Sequence, residues 1–587
     1  MYFYFMIKHT TLFIFSILCV SFSFAQLMEK KTTFTHADTL RGSLNENRNW
    51  WDVLRYDIIV KPDYENKTIE GKTSITFSNK KRMNENGKTM QIDLQSPLII
   101  DSVQLNGKNL RFQKEDKDIW IVNVNTFKKE KVQNNGHSLI IPDETIIIYY
   151  HGKPREAIRP PWDGGWIWRK DKNGNPWMSV ACQGLGASAW YPCKDHQSDE
   201  PDNGASLTII VPDTLVAIAN GRLTKVNGEK LMLRKQTSNA LHQTSYTWEV
   251  KNPINNYLII PSIGKYVNFT DTLMGEKGKL DLSYWVLDYN LDKAKEQFKQ
   301  AKLMLRAFEY WFGPYPFYED SYKLVESPHL GMEHQSATAY GNQFKNGYLG
   351  RDLSGSGWGL KWDYIIVHES GHEWFANNIT SKDIADMWVH EGITDYSETL
   401  FTEYYYGKEA GNDYNFGQRR SIRNDAPVIG FYDVNKEGSG DMYPKGANMM
   451  HTIRHSINND SLFRQILRGL GKTFYHQTVT TQQIEKFISD NAGFNYQKVF
   501  DQYLRNTKIP VLELSVDSIN NSIKYKWTNC VDGFNLPLSI YKDNQLIKLF
   551  PQTTEKTTTV SKEQLGLLNS NLIERLYYIK VLQPQLQ

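Results

Sequence analysis

Three residues in one short run carry the most specific chemistry in this 587-residue chain: His368, Glu369 and His372, within Val367-His368-Glu369-Ser370-Gly371-His372-Glu373. Histidines four apart project from the same face of a helix, so both imidazoles can hold a single cation at about 2.0–2.1 Å. Glu369, one residue on, is angled beside that cation, where it can take a proton from water whose pKa has been lowered towards about 7. Chance supplies about 0.02 such patterns in a chain with 14 His. Two histidines on a solvated helix face would satisfy the same spacing, so a third ligand is required.

Glu391 supplies one, nineteen residues after His372, in Trp388-Val389-His390-Glu391-Gly392-Ile393-Thr394-Asp395-Tyr396-Ser397-Glu398. Two His and one Glu leave the fourth position of a zinc ion open, which is the catalytic arrangement; no cysteine that would mark a closed structural site lies nearby. The expectation is one Zn²⁺ per chain on His368, His372 and Glu391. Asp395 and Glu398 follow one and two helical turns later, and either can accept the outer N–H of a ligand histidine and fix its tautomer. Glu398 is the preferred partner.

These residues need helices to present them. Around Leu291 the apolar period turns helical: Ala294, Phe298, Ala301, Leu305 and Phe308 form one stripe, which stops at Gly313-Pro314. A helix carrying Leu462, Phe463, Ile466, Leu467 and Leu470 begins near Asp460, and Thr480…Gln483 form a capping box before Ile484. Before this helical region, short β-branched and aromatic runs such as 56–60, 73–77, 145–150 and 207–211 predict a β domain, interrupted by a Pro/Gly/Trp-rich loop at 159–177. After it, alternation returns at Leu512, Leu514, Val516 and at Ile523, Tyr525, Trp527, with a turn at Asp543-Asn544.

Length alone implies three or four domains. With 68 basic against 65 acidic side chains the net charge is +3, which excludes a nucleic-acid-binding reading, and 40% hydrophobic with 23% charged residues excludes wholesale disorder. The first 25 residues read as an export signal: Lys8, an apolar run from Leu12 to Val20, then Ser23-Phe24-Ala25 as cleavage site. Its removal takes the charge to +2 and predicts a periplasmic or extracellular protein with no stable membrane insertion. Residues 26–48 are polar and read as a linker. Cys182, Cys193 and Cys530 remain after cleavage, so at least one is unpaired; a Cys182–Cys193 pair is left open.

At this point the chain resembles the aminopeptidase N family of zinc metallopeptidases (gluzincins), which includes leukotriene hydrolase/aminopeptidase. The family signature is His-Glu-x-x-His, eighteen residues, then Glu, and the Trp388-Val389-His390-Glu391-Gly392 context is similar to its Trp-Leu-Asn-Glu-Gly. Leu330-Gly331-Met332-Glu333-His334 resembles the family's Gly-x-Met-Glu-Asn exopeptidase motif. Tyr443-Pro444-Lys445-Gly446-Ala447 resembles the Tyr-x-Lys-Gly-Ala segment that carries a catalytic tyrosine. Cys182-Gln183-Gly184, followed by residues 190–195, is similar to the Cys-Gln-Ala…Leu-Pro-Cys-Gln-Asp run of the leukotriene-hydrolase branch.

The resemblance spans about residues 50–515 and implies an α+β multidomain protein: an N-terminal antiparallel β domain (49–271), a thermolysin-like, mostly helical catalytic domain (272–506) and a small C-terminal β domain (507–587). It implies peptide substrates with a free N-terminus, bound by Glu333, Gln183, Gly331 and Met332, with Glu369 and Tyr443 catalytic. Leu330 and His334 depart from the motif and alter the first side-chain pocket and the strand edge. Two alternatives stand beside this reading: a thermolysin-type endopeptidase, and a secreted binding or scaffold protein with a non-functional site.

Overall fold

The computed structural model describes residues 33–79, 89–124, 143–227, 243–542, 545–565 and 567–583. The expected export signal and the turn at Asp543-Asn544 lie outside the described residues.

The strand Trp51–Asp63 shows how sequence period becomes a sheet. Trp51 and Val53 point inward, then Tyr56, Ile58 and Val60. The phase changes because the register against Thr68–Asn79 shifts between Val53 and Arg55, a bulge that inserts one residue. The strand sits centrally in an eight-stranded sheet, in the order Arg222–Asn227, Gln243–Val250, Ala205–Pro212, Trp51–Asp63, Thr68–Asn79, Glu144–Gly152, Ile99–Leu105, Lys108–Asn109. Its pairing with Ala205–Pro212 is parallel, whereas the other described pairings in this sheet are antiparallel. A four-stranded and a three-stranded sheet complete this region, and Trp51, Trp166, Trp190, Ile92 and Val122 share one core between them.

Residues 33–48 are not an extended polar linker. Thr35 and Asp38 close a capping box on the helix His36–Gly42. Arg48 is fully buried, paired with Asp93 and donating to the carbonyls of Arg41 (2.7 Å) and Ser43 (3.2 Å). Most of the segment's polar side chains are exposed or half-buried, but Arg48 makes an inward-facing ion pair, which composition alone does not distinguish from a solvated one.

The second region opens on a five-stranded sheet ordered Tyr266–Gly275, Gly278–Leu287, Tyr322–Glu326, Thr338–Tyr340, Gly331–Met332. The expected boundary at 271/272 therefore falls inside a strand. By sheet membership the change comes at Tyr266, where strand-like sequence runs on without a compositional break. The helix expected from Leu291 forms as Leu291–Gln297 and Lys299–Phe312, broken at Phe298, and ends on Gly313 at φ +97°. Helices Tyr364–Gly371, Trp388–Tyr406, Lys408–Gln418, Pro444–Ile457, Asp460–Thr473, Thr481–Ala492 and Gln497–Leu504 follow, the sixth capped by the Thr480/Gln483 box.

The C-terminal strands Val511–Asp517, Ser522–Thr528, Lys556–Thr559 and Lys580–Leu582 form one sheet, and Leu538–Lys542 pairs with Gln545–Leu549. Their core residues Leu512, Trp527, Ile540 and Ile547 belong to the same apolar cluster as Phe308, Trp388 and Leu467. The three thiols Cys182, Cys193 and Cys530 are free, the first two buried. No helix among the described residues is long and apolar enough to cross a membrane.

Candidate metal centre

The helix Tyr364–Gly371 starts where Asp363 accepts hydrogen bonds from the backbone N–H groups of Ile365 (3.1 Å) and Ile366 (3.3 Å). Asp363 is itself fixed by Tyr340 Oη (2.7 Å), Gln297 Nε2 (2.7 Å) and Asn342 Nδ2 (2.8 Å). Burial lifts its carboxyl to about 6 despite these donors. The cap thus ties the start of the His368–His372 segment to the neighbouring sheet and helix.

Each histidine has its outer nitrogen occupied. His368 Nδ1–H donates to Glu398 Oε1 at 2.6 Å, and Glu398 Oε2 accepts from Tyr414 Oη (2.6 Å) and Gln418 Nε2 (3.1 Å). His372 Nδ1–H donates to the carbonyl of Phe375 at 3.0 Å. That carbonyl is presented by a π-type turn at Glu373–Asn377, in which Ala376 takes φ +139°. Both Nε2 atoms then face Glu391 Oε2, at 3.8 Å from His368 and 3.3 Å from His372. Asp395, the other carboxyl considered for His368, instead accepts from Gln418 Nε2 at 3.0 Å.

The donor set fits a single Zn²⁺. Tetrahedral ligands about 2.1 Å from one ion lie about 3.4 Å apart, close to the separations observed. His368, His372 and Glu391 are 4%, 1% and 2% exposed, and Glu391 Oε2 is buried without a hydrogen-bond partner. Burial opposes charge on both imidazoles, yet Glu391, joined at His368 by Glu398, holds each above its ordinary value. The pocket is short of positive charge. Because Glu398 orients His368, Glu398→Gln is expected to weaken zinc affinity by about 10–100-fold. Chelator competition measures this, and unchanged affinity would remove Glu398 from the site.

Tyr443 reaches the centre through a backbone contact between two helices. A Cβ on Gly392 would lie 2.8 Å from Met442 O, and one on Gly446 would lie 2.7 Å from Gly392 Cα. Glycine at both positions lets Trp388–Tyr406 and Pro444–Ile457 touch, which brings Tyr443 into the cleft beside the centre, its ring centroid 6.1 Å from that of His368. Burial, then Glu391, Glu333 and Glu369, push this phenol well above its usual range, so it remains a donor.

The acid pocket is assembled from three regions of the chain. Glu333 follows the edge strand Gly331–Met332; its Oε1 accepts from Gln183 Nε2 (2.7 Å) and Tyr257 Oη (2.9 Å). Gln183 Nε2 also donates to Glu391 Oε1 at 3.1 Å. A single amide therefore joins the acid pocket to the metal triad, leaving the Gln183 carbonyl oxygen as its acceptor. A Cβ on Gly331 would stand 2.6 Å from Glu369 Oε1, so a side chain there would displace the Glu369 carboxylate. Met332 packs with Ala157, Ile167, Ala181 and Ala339. Leu330 lines the cleft, whereas His334 is wholly buried beside His329, with ring centroids 6.2 Å apart. Tyr257 escaped sequence reading because it comes from the N-terminal β region and no short motif marks it.

These groups open on one cleft of about 680 Å³. Burial, opposed by His368 and His372 and reinforced by Glu333 and Glu391, lifts Glu369 to about 7.

A mostly helical domain with a two-histidine, one-glutamate centre, set between β regions, is the architecture of a zinc metallopeptidase. Residues 296–503 match the model of the Peptidase family M1 domain. Leukotriene A-4 hydrolase of Xenopus laevis is 22% identical over 457 residues, covering 75% of this chain and 68% of that protein. Aminopeptidase N of Lactobacillus helveticus is 23% identical over 504 residues, covering 78% of this chain and 51% of that protein, so the chain spans about half of that relative's length. An M1 zinc metallopeptidase from Deinococcus radiodurans shares the fold with a TM-score of 0.61 at 19% identity, over 79% of this chain and 95% of that chain.

Proposed function

We propose that this protein is a zinc-dependent aminopeptidase that removes the N-terminal residue from peptides. The observation that carries the reading is the Gln183 amide bridging Glu333 and Glu391 at 2.7 and 3.1 Å, which sets a carboxylate pocket beside the metal centre. A peptide's α-amine is wholly or partly protonated at neutral pH, and a buried carboxylate is its natural partner. Glu333 accepts the ammonium, and the Gln183 carbonyl accepts a further N–H.

His368, His372 and Glu391 would hold the ion, and a bound Zn²⁺ supplies Lewis acidity towards a carbonyl and towards water. Glu369 takes the proton from the attacking water and delivers it to the leaving amine. Tyr443 donates to the oxygen that gains charge as the carbonyl carbon becomes tetrahedral. Asp395 and Glu398 act from behind, through Gln418 and His368.

Export by residues 1–25 with cleavage after Ala25, to the periplasm or the medium, belongs to the same proposal; sequencing the mature N-terminus from Gln26 tests it. The aminopeptidase reading is tested with paired substrates, one unblocked and one N-acetylated, with and without chelator. Cleavage confined to the unblocked member and lost on chelation is expected. Equal cleavage of both would favour the endopeptidase alternative.

A further inference from the structure

We propose that residues 33–48 form a clasp that positions Gln183, with Arg41 as its positioning residue. The inference rests on the reading of Gln183 and Glu333 as the amine-binding pair.

Gln183 lies in a loop between the strand Pro176–Ala181 and the single 3₁₀ turn Ala187–Ala189, so no ladder or helix fixes it. Gly184 at φ +70° and Gly186 at φ +95° give the loop conformations that other residues rarely adopt. Three side chains hold its carbonyls from outside. Arg41 Nη2 and Gln95 Nε2 (2.7 Å) both donate to Leu185 O, and Asn435 Nδ2 donates to Gly184 O at 3.4 Å. Arg41 Nη2 also meets Asp195 Oδ2 at 3.4 Å, and the Asp195 carboxylate accepts from the backbone N–H groups of Ala187 and Ser188, each at 3.2 Å. The fit is close: a Cβ on Gly186 would lie 2.1 Å from Asp195 Oδ2 and 2.6 Å from Arg41 Nη2.

The same segment also grips a second stretch of chain, at Phe431–Asn435. Phe34 packs edge-on against Phe431, with ring centroids 5.4 Å apart. A Cβ on Gly42 would collide with the backbone of Val434 and Asn435 at 2.4 and 2.3 Å. That stretch leads through Gly440–Met442 to Tyr443. Residues 33–48 therefore touch both the loop bearing Gln183 and the approach to the tyrosine. A bridging amide must be held to within about 0.5 Å to serve two carboxylates at once, and Arg41 is the charged donor that fixes the next residue but one.

A double-mutant cycle on an unblocked aminoacyl anilide tests this, with KM, kcat and zinc content measured for Arg41→Met, Gln183→Ala and the combination. Gln183→Ala should raise KM about tenfold or more. Arg41→Met should raise KM about fivefold, with kcat and zinc content close to wild type. The double variant should be no worse than Gln183→Ala alone, because Arg41 acts only through Gln183. Arg41→Lys, which keeps the charge opposite Asp195 but loses the forked donor, carries the same test if the Met variant does not fold. An unchanged KM in the Arg41 variants, or an Arg41 effect that multiplies in full with Gln183→Ala, overturns the proposal. A Gln183→Ala enzyme with normal KM would remove the amine-binding reading as well, so the two failures are distinguishable.

Discussion

Glu369→Gln is expected to lower kcat on an unblocked aminoacyl substrate by about 10²–10⁴-fold while leaving zinc bound. The substitution keeps the shape of the side chain and removes its capacity to take a proton. Glu369 contributes no donor to the His368–His372–Glu391 triad, so metal content and activity should separate. The wild-type pH profile supports the same assignment. Burial and the neighbouring acids place this carboxyl near 7, and only its ionised form accepts a proton. Rates should therefore fall as pH drops through an acid limb at or below about 7, since a bound dication adds to the pull of the two imidazoles. In the Gln variant that limb should vanish along with most of the activity. A variant with near-normal kcat would show that another group moves the proton.

Glu333→Ala is the second large effect. Removing one partner from a buried charged contact typically costs 2–5 kcal/mol, so kcat/KM for unblocked substrates should fall on the order of 10²–10³-fold. Both KM and kcat contribute, because an amine that is not held leaves the scissile carbonyl out of place. Zinc content should not change, since Glu333 hydrogen-bonds to Gln183 and Tyr257 and is not one of the three grouped ligand side chains. The sharper readout is selectivity: the variant should lose most of its preference for a free amine over an acetylated one. Unchanged selectivity would assign amine recognition elsewhere.

The metal centre was legible in the sequence because helix geometry is local. Two imidazoles four residues apart share a face whatever the rest of the chain does, and Glu391 with Glu398 repeats the argument seven residues apart on the next helix. What escaped depends on long-range contact. Tyr257 reaches Glu333 from another sheet, and the Phe375 carbonyl that fixes His372 is exposed by a π-type turn that side-chain periodicity does not signal. The Gly392–Gly446 contact is equally hidden, since each glycine is needed only because the other helix is there. Residues 33–48 show the opposite error, in which polar composition concealed the inward ion pair of Arg48 with Asp93. The boundary read at 271/272 failed for a related reason: strands on the two sides of a domain junction have the same alternation, and only their hydrogen-bonded neighbours separate them.

The most direct test of the central claim is the zinc content of the purified chain and of its His372→Ala variant, with activity followed on the same samples. The account predicts one zinc per wild-type chain, and loss of both metal and hydrolysis in the variant. Full activity in wild-type protein that binds no transition metal, or a His372→Ala enzyme that keeps both its zinc and its rate, would contradict it.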